Sequence, residues 1–207
     1  MLGMVNIVYG ACVAMSQNDF KKMVAYSSVS HMGFVILGLA CMNMTGFNGA
    51  LLGMFNHGII TGGMFLLVGM LYDRAHTREL NAFGGLSGHM PVYAFFLTLC
   101  SLASLGLPGL GGFVGEFLSL AGAFPVFQTI TIISIVGLIV TAGYFLYMLQ
   151  RVLLGPLNPI CSKYGDISMR EIFTLVPLMA ITVMVGVCPQ TVLQFQEATI
   201  RAVISLF

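Results

Sequence analysis

The sequence predicts an all-α fold, a polytopic membrane helix bundle of about six transmembrane helices with one broken helix, and three observations carry that prediction. Aliphatic, aromatic and cysteine residues make up 58% of the chain and charged residues 7%, with a mean hydropathy of +0.98. So few charges cannot cover a soluble surface of this length. The apolar residues fall into long runs, and a crossing helix needs about 20 of them to span ~30 Å of hydrocarbon. The acidic and basic residues, with one exception, collect in the joints between those runs or in the tail.

That ruler places spans near residues 1–17, 22–42, 48–72, 92–124, 127–150 and 170–188, so that 1–188 forms one transmembrane bundle. The first run lacks the cationic flank of a secretory signal and is expected to stay as a helix. The second opens after "SQNDFKK", where Lys21 and Lys22 follow Asp19 and can snorkel to the interface. The third holds two small-xxx-small pairs, Gly49 with Gly53 and Gly58 with Gly62, each expected to let another helix approach closely. The fourth is too long for one simple crossing. Pro108, Gly109, Gly111 and Gly112 lie near its middle, where a missing donor and a relaxed backbone predict a break. A tight turn at Pro125 leads to the fifth run, and "RVLLGPLNPICSKYGDISMRE" to the sixth. The tail, 189–207, is too irregular for a span, and its Gln194, Glu197 and Arg201 fit the polar side of an outward-facing interfacial helix.

Charge placement predicts orientation. Lys21, Lys22, Arg74, Arg78, Arg151, Lys163 and Arg170 all fall in the first, third and fifth joints, and only Arg201 falls opposite. By the positive-inside rule those joints face the cytoplasm or an organelle matrix, and both termini face outward. The net charge of +1 offers no basic patch for nucleic acid, so the partners expected are lipid and neighbouring helices. The five cysteines are scattered, without CxxC or ligand-spaced histidine, and the fifteen methionines form no metal-binding array. Neither a metal site nor a cofactor is expected. With no phosphate loop, GxSxG, HExxH or dinucleotide fingerprint, redox and nucleotide chemistry belongs on other chains.

The exceptional charge is Glu116, inside "SLGLPGLGGFVGEFLSL". A charge at the bilayer centre costs roughly 2.5–3.5 kcal/mol on insertion scales, so such a residue faces protein or water and usually marks an ion or proton pathway. The alternative is structural, a hydrogen bond to backbone groups freed by the break. In "AYSSVSHMG", Ser27, Ser30 and His31 at i, i+3 and i+4 make one polar stripe on an apolar helix. An imidazole, with an ordinary pKa of ~6.5, can relay protons, although a buried neutral His31 bonded to a serine accounts for the same pattern. In "FNHGIITGG", Asn56, His57 and Thr61 repeat it, with His57 as a second relay candidate one turn from Thr61.

Four stretches in order, "DFKKMVAYSSVSHMGFVILGL", "FNHGIITGGMFLLVG", "LYDRAHTREL" and "SLGLPGLGGFVGEFL", resemble the antiporter-like membrane subunits of respiratory complex I (NADH-quinone oxidoreductase), most closely the subunit M or chain 4 branch. The resemblance runs over essentially the whole chain but covers only the carboxyl-terminal part of that family's length. It implies the second of two inverted five-helix repeats plus one further helix. In it, Glu116 matches the acidic residue of the second broken helix, His57 a histidine on the mid-membrane hydrophilic axis, and His76 a further position the family uses. At an interface, solvation alone accounts for His76. The implied function is part of a proton translocation half-channel in a proton-pumping NADH:quinone oxidoreductase of the bacterial inner membrane, ahead of the mitochondrial one, with the electron chemistry on partner subunits. The implied partners are the other membrane subunits and a polypeptide carrying the first repeat, whose glutamate and two buried lysines are missing here. Lys21 and Lys22 are not those lysines. Alternatives are a cation/proton antiporter subunit or an energy-converting hydrogenase subunit, against which the glutamate of "GEF" weighs, and a truncated structural module that does not conduct.

Overall fold

The computed structural model describes residues 1–206. Nine α-helices follow in order among them: α1 (Leu2–Met15), α2 (Phe20–Ala40), α3 (Met44–Ala75), α4 (Leu86–His89), α5 (Pro91–Ser104), α6 (Gly111–Ala123), α7 (Gln128–Leu153), α8 (Met169–Val187) and α9 (Gln190–Ile204). Of these, α2, α3, α7 and α8 are long and apolar enough to cross a membrane, and α5 with α6 makes the broken crossing. The chain is an all-α, multi-pass membrane bundle. At 14 residues α1 is only ~21 Å long, shorter than the expected first span.

Local chemistry sets the helix starts. Asp19 accepts from the Lys22 amide at 3.0 Å and Asn43 from the Gly46 amide at 2.8 Å. Ser168 and Glu171 form a reciprocal capping box at the head of α8. Each satisfies donors that a helix N-terminus otherwise leaves orphaned.

The tightest packing joins α3 to α6. A Cβ at Gly49 would run into the backbone at Ser119, one at Gly115 into the backbone of Gly53, and one at Gly122 into the backbone of Gly46. Backbones this close need the small residues found there. The second pair has no neighbour within this chain, since an added Cβ at Gly58 or Gly62 meets nothing there. Five and nine residues beyond Gly53, they stand about 140° and 180° around the helix from the α6 contact. The polar stripe of α2 also divides. Ser30 Oγ donates to the Ile7 carbonyl on α1 at 2.9 Å, and only Ser27 and His31 keep a common side.

The first, third and fifth joints lie together at one end. The Phe20 amide donates to Arg78 O at 2.8 Å and the Leu80 amide to Asn18 O at 2.9 Å. The Gly85 amide donates to Leu154 O at 3.1 Å. Arg74 finishes α3 with a two-pronged grip on Glu171 of α8, at 2.9 and 2.8 Å, and also donates to Gly165 O and Asp166 O. The Asp166 carboxylate accepts from the Val92 and Tyr93 amides and so caps α5. Asn48, near the start of α3, marks the opposite end, where the Gln196 amide group of α9 donates to it at 3.2 Å. The tail is therefore a helix with Ile200 buried and the exposed Glu197 and Arg201 paired one turn apart.

Candidate functional site

Residues 105–110 separate α5 from α6, and the chain turns there through two left-handed glycines, Gly106 at φ +80° and Gly109 at φ +93°. Pro108 sits between them. The predicted break is present. Gly109 supplies the conformation, Gly111 and Gly112 open α6, and Gly106 is a turning point that the composition alone did not single out. Gly112 lies against the Ala103 carbonyl, in space a side chain would fill. The Asn56 side-chain amide of α3 donates to Gly111 O at 2.6 Å and holds the start of α6 in place.

Glu116 therefore sits inside α6 rather than in the break, facing back toward it. Its Oε2 lies near Gly106, 3.1 Å from where a Cβ would stand. Its Oε1 lies 2.7 Å from Nδ1 of His31, and both side chains are 11% exposed. A neutral His31 donates from Nδ1 to an ionised carboxylate, and a protonated carboxyl donates to Nδ1, so one proton occupies the contact in either arrangement. The serine-bonded alternative for His31 is overturned, because its partner is Glu116. The His57 ring lies 5.8 Å from the His31 ring, centroid to centroid, and Phe145 stacks on the other side at 6.5 Å.

A cavity of about 30 Å³ lies among these groups, with Asn56, Thr61, Ser104 and Glu116 on its walls beside the two histidines. That is space for about two water molecules. His31 Nε2, His57 Nε2 and Asn56 Oδ1 are buried here without a protein partner, and so are Thr141 Oγ1 and the Tyr144 hydroxyl on α7. Tyr144 and Thr141 lie near Ser27, one turn from His31. Buried polar atoms are rarely left unpaired, so a cluster of them describes a hydrated interior. Sequence reading passed over Thr141 and Tyr144. The available signal was two hydroxyls at i and i+3 in the most apolar run of the chain.

His76 does not join the site. It is exposed, ends α3 in the left-handed region at φ 51°, and stands ~28 Å along the helix from His57. Lys21 and Lys22 are likewise exposed, at the start of α2. Among the described residues no three His, Cys, Asp or Glu side chains converge on a metal position.

A discontinuous membrane helix carrying a buried carboxylate, paired to a histidine and next to a water-sized cavity, is an arrangement that ion- and proton-carrying membrane bundles use. The chain belongs to the NADH:quinone oxidoreductase/Mrp antiporter transmembrane family, whose profile matches residues 1–142. It is 45% identical over 193 residues to NADH-quinone oxidoreductase subunit M of Rhodobacter capsulatus, covering 93% of this chain and 38% of that protein. It is 40% identical over 209 residues to NAD(P)H-quinone oxidoreductase chain 4 1 of Synechococcus elongatus, covering 98% of this chain and 39% of that one. The chain thus spans about two fifths of the length of the curated relatives it matches. A chain of respiratory complex I from Thermus thermophilus superposes with a TM-score of 0.86 at 32% identity, over 96% of this chain and 43% of that chain. A chain of the Mrp complex from a Dietzia species gives 0.87 at 18% identity, over 96% and 45%, a likeness of fold alone.

Proposed function

We propose that this chain forms part of a proton translocation half-channel within a membrane subunit of a proton-pumping NADH:quinone oxidoreductase, and carries no redox centre itself. The observation that supports this most directly is the 2.7 Å contact between His31 Nδ1 and Glu116 Oε1 beside a helix break. Glu116 takes up and releases the proton. His31 receives it at Nδ1 and passes one on from Nε2, and His57 continues the path across water held in the cavity. Pro108, Gly109, Gly111 and Gly112 keep the backbone open at that depth, and the uncapped start of α6 directs its amides toward the break. Identity of 45% to a subunit M supports the assignment to the oxidoreductase branch. The Mrp likeness rests on fold.

The partners proposed are the other membrane subunits of the complex and a segment or polypeptide supplying the family's first repeat, with lipid around them. The location proposed is the bacterial inner membrane, with the cation-rich end toward the cytoplasm. The test is quinone-linked proton uptake in vesicles, with a parallel check that the complex is intact. Glu116→Gln keeps shape and hydrogen bonding but not the titrating group, so pumping should collapse while assembly survives. Glu116→Asp should retain more. Normal pumping by an intact Glu116→Gln complex would overturn the carrier role and leave the carboxylate as a polar plug.

A further inference from the structure

We infer that the outer face of α7 is a binding site for one anionic phospholipid, with its phosphate on Arg151 and one acyl chain running along the helix to the cleft beside Glu116. Arg151 ends the α7 crossing at the cation-rich end. Its Nε donates to the Tyr147 hydroxyl at 3.0 Å, and its guanidinium lies 5.4 Å from the Tyr147 ring centroid. Like Lys21, Lys22, Lys163 and Arg170, it pairs with no carboxylate among the described residues, whereas Arg74, Arg78 and Arg201 each do. It also lines a recess of about 820 Å³, with Phe83, Gly84, Gln150 and Pro156 on the walls. The side chain is thus held in position and its charge is not neutralised. A planar fork of this kind suits phosphate oxygens.

The face below the recess is built for a chain of methylenes. Tyr147, Gly143 and Ile139 follow one another at four-residue spacing and so lie in one row. Ile139 is 68% exposed, Leu146 53% and Tyr147 45%. At Gly143 an added Cβ would meet nothing, so the row is hollow in its middle. From Arg151 to Ile139 the helix rises ~18 Å, close to the ~15 Å half-thickness of a hydrocarbon core, so a lipid seated at Arg151 ends its chain near mid-membrane. At that depth a second cleft of about 310 Å³ opens between α6 and α7, with Leu138, Ile139, Ala142, Phe117 and Leu120 on its walls and Glu116 at its inner edge. An acyl chain end lying there closes the side of the carboxylate site with hydrocarbon. Charge at one end, a row of matching length and an apolar terminus together select a phospholipid over a small anion, which would use only the first. The unneutralised arginine selects an anionic headgroup over a zwitterionic one.

The probe is phosphatidylglycerol with a diazirine near the end of one acyl chain, added to native membranes expressing the chain, irradiated, and mapped by peptide mass spectrometry. Labelling is read as the ratio of the 138–142 segment to the segment around Met184, a 50% exposed residue of α8 that lies ~21 Å along its helix from Arg170 and so at a depth comparable to Ile139. Arg151→Gln should lower that ratio about tenfold, the effect of losing a charge-assisted pair, while Arg151→Lys should keep most of it. Gly143→Leu fills the hollow without touching Arg151 or any buried group, and should lower labelling of 138–142 alone. Unlabelled phosphatidylglycerol should compete; phosphatidylcholine and millimolar inorganic phosphate should not. An unchanged ratio in both Arg151→Gln and Gly143→Leu overturns the site. So does displacement by inorganic phosphate, which would make it an anion site without a lipid. Absence of label on 138–142 while the Met184 segment is labelled would mean that another protein covers this face, and also refutes the proposal.

Discussion

His31 and Glu116, 85 positions apart in the chain, meet at 2.7 Å with nearly all of both side chains withdrawn from solvent. Groups that share one proton act as a unit, and removing either should cost most of what removing both costs. His31→Gln should therefore reduce proton uptake sharply, and the His31→Gln, Glu116→Gln double variant should be little worse than the poorer single. Additive losses in uptake rate would separate the two residues into independent steps.

The hydroxyls of Thr141 and Tyr144 predict a divergence between stability and transport. Both are buried beside Ser27 without a well-aligned protein bond, so Tyr144→Phe and Thr141→Val should leave assembly close to unchanged. If those hydroxyls hold water beside Ser27, uptake should still fall. Uptake and thermal stability measured on the same membranes give both readings.

At the α3/α6 crossing, Gly49→Leu or Gly115→Val drives a side chain into backbone and should destabilise the bundle by about 1–3 kcal/mol or more, read as earlier loss in a thermal or proteolysis assay. Gly58→Ala and Gly62→Ala meet open space, gain helix propensity, and should be neutral or slightly stabilising.

The clasp at the cation-rich end predicts a strong effect far from the proton site. Arg74→Ala leaves the part-buried Glu171 without its two-pronged partner and strips the carbonyls of Gly165 and Asp166 of their donor, a loss of about 1–3 kcal/mol. Arg74→Lys keeps charge but not the fork and should fall between. Glu171→Gln tests the same pair from the other side.

Orientation has a direct test in cysteine labelling. Ser87→Cys, exposed at the cation-rich end, should react only with reagents that reach the cytoplasmic side, and Thr199→Cys on α9 only from outside. Strong labelling of Ser87→Cys by an impermeant outside reagent reverses the assignment.

Much of this architecture is legible in the sequence because the bilayer leaves few choices. Run length fixed the crossings, and a proline among glycines marked the break. Glu116 was conspicuous as the lone carboxylate in an apolar run. What could not be read is which side of each helix finds which neighbour. Gly49 with Gly53 and Gly58 with Gly62 carry the same motif, yet only the first pair meets α6, since a repeat says nothing about what stands opposite. Ser30 looked like a companion of His31, but the carbonyl of Ile7 took it. The His31 to Glu116 contact depends on α2 and α6 converging on one depth of the bundle, a relation with no local signature. Asp166 capping α5 across the fifth joint is hidden for the same reason.

The two halves of the broken crossing are held from opposite directions. Asp166 pins the start of α5 at the cation-rich end, and the glycine contacts with α3 press α6 in place along its length. Residues 105–110 join the two held helices through the left-handed Gly106 and Gly109, with the Gly106, Leu107 and Leu110 amides bonded to the carbonyls of Ala103, Leu102 and Leu107 and with Gly109 and Leu110 packed on Gly186 of α8. In the proposed route the carboxylate is therefore a fixed post: Glu116 rides on a helix held against α3 along its length, and a proton has to come to it.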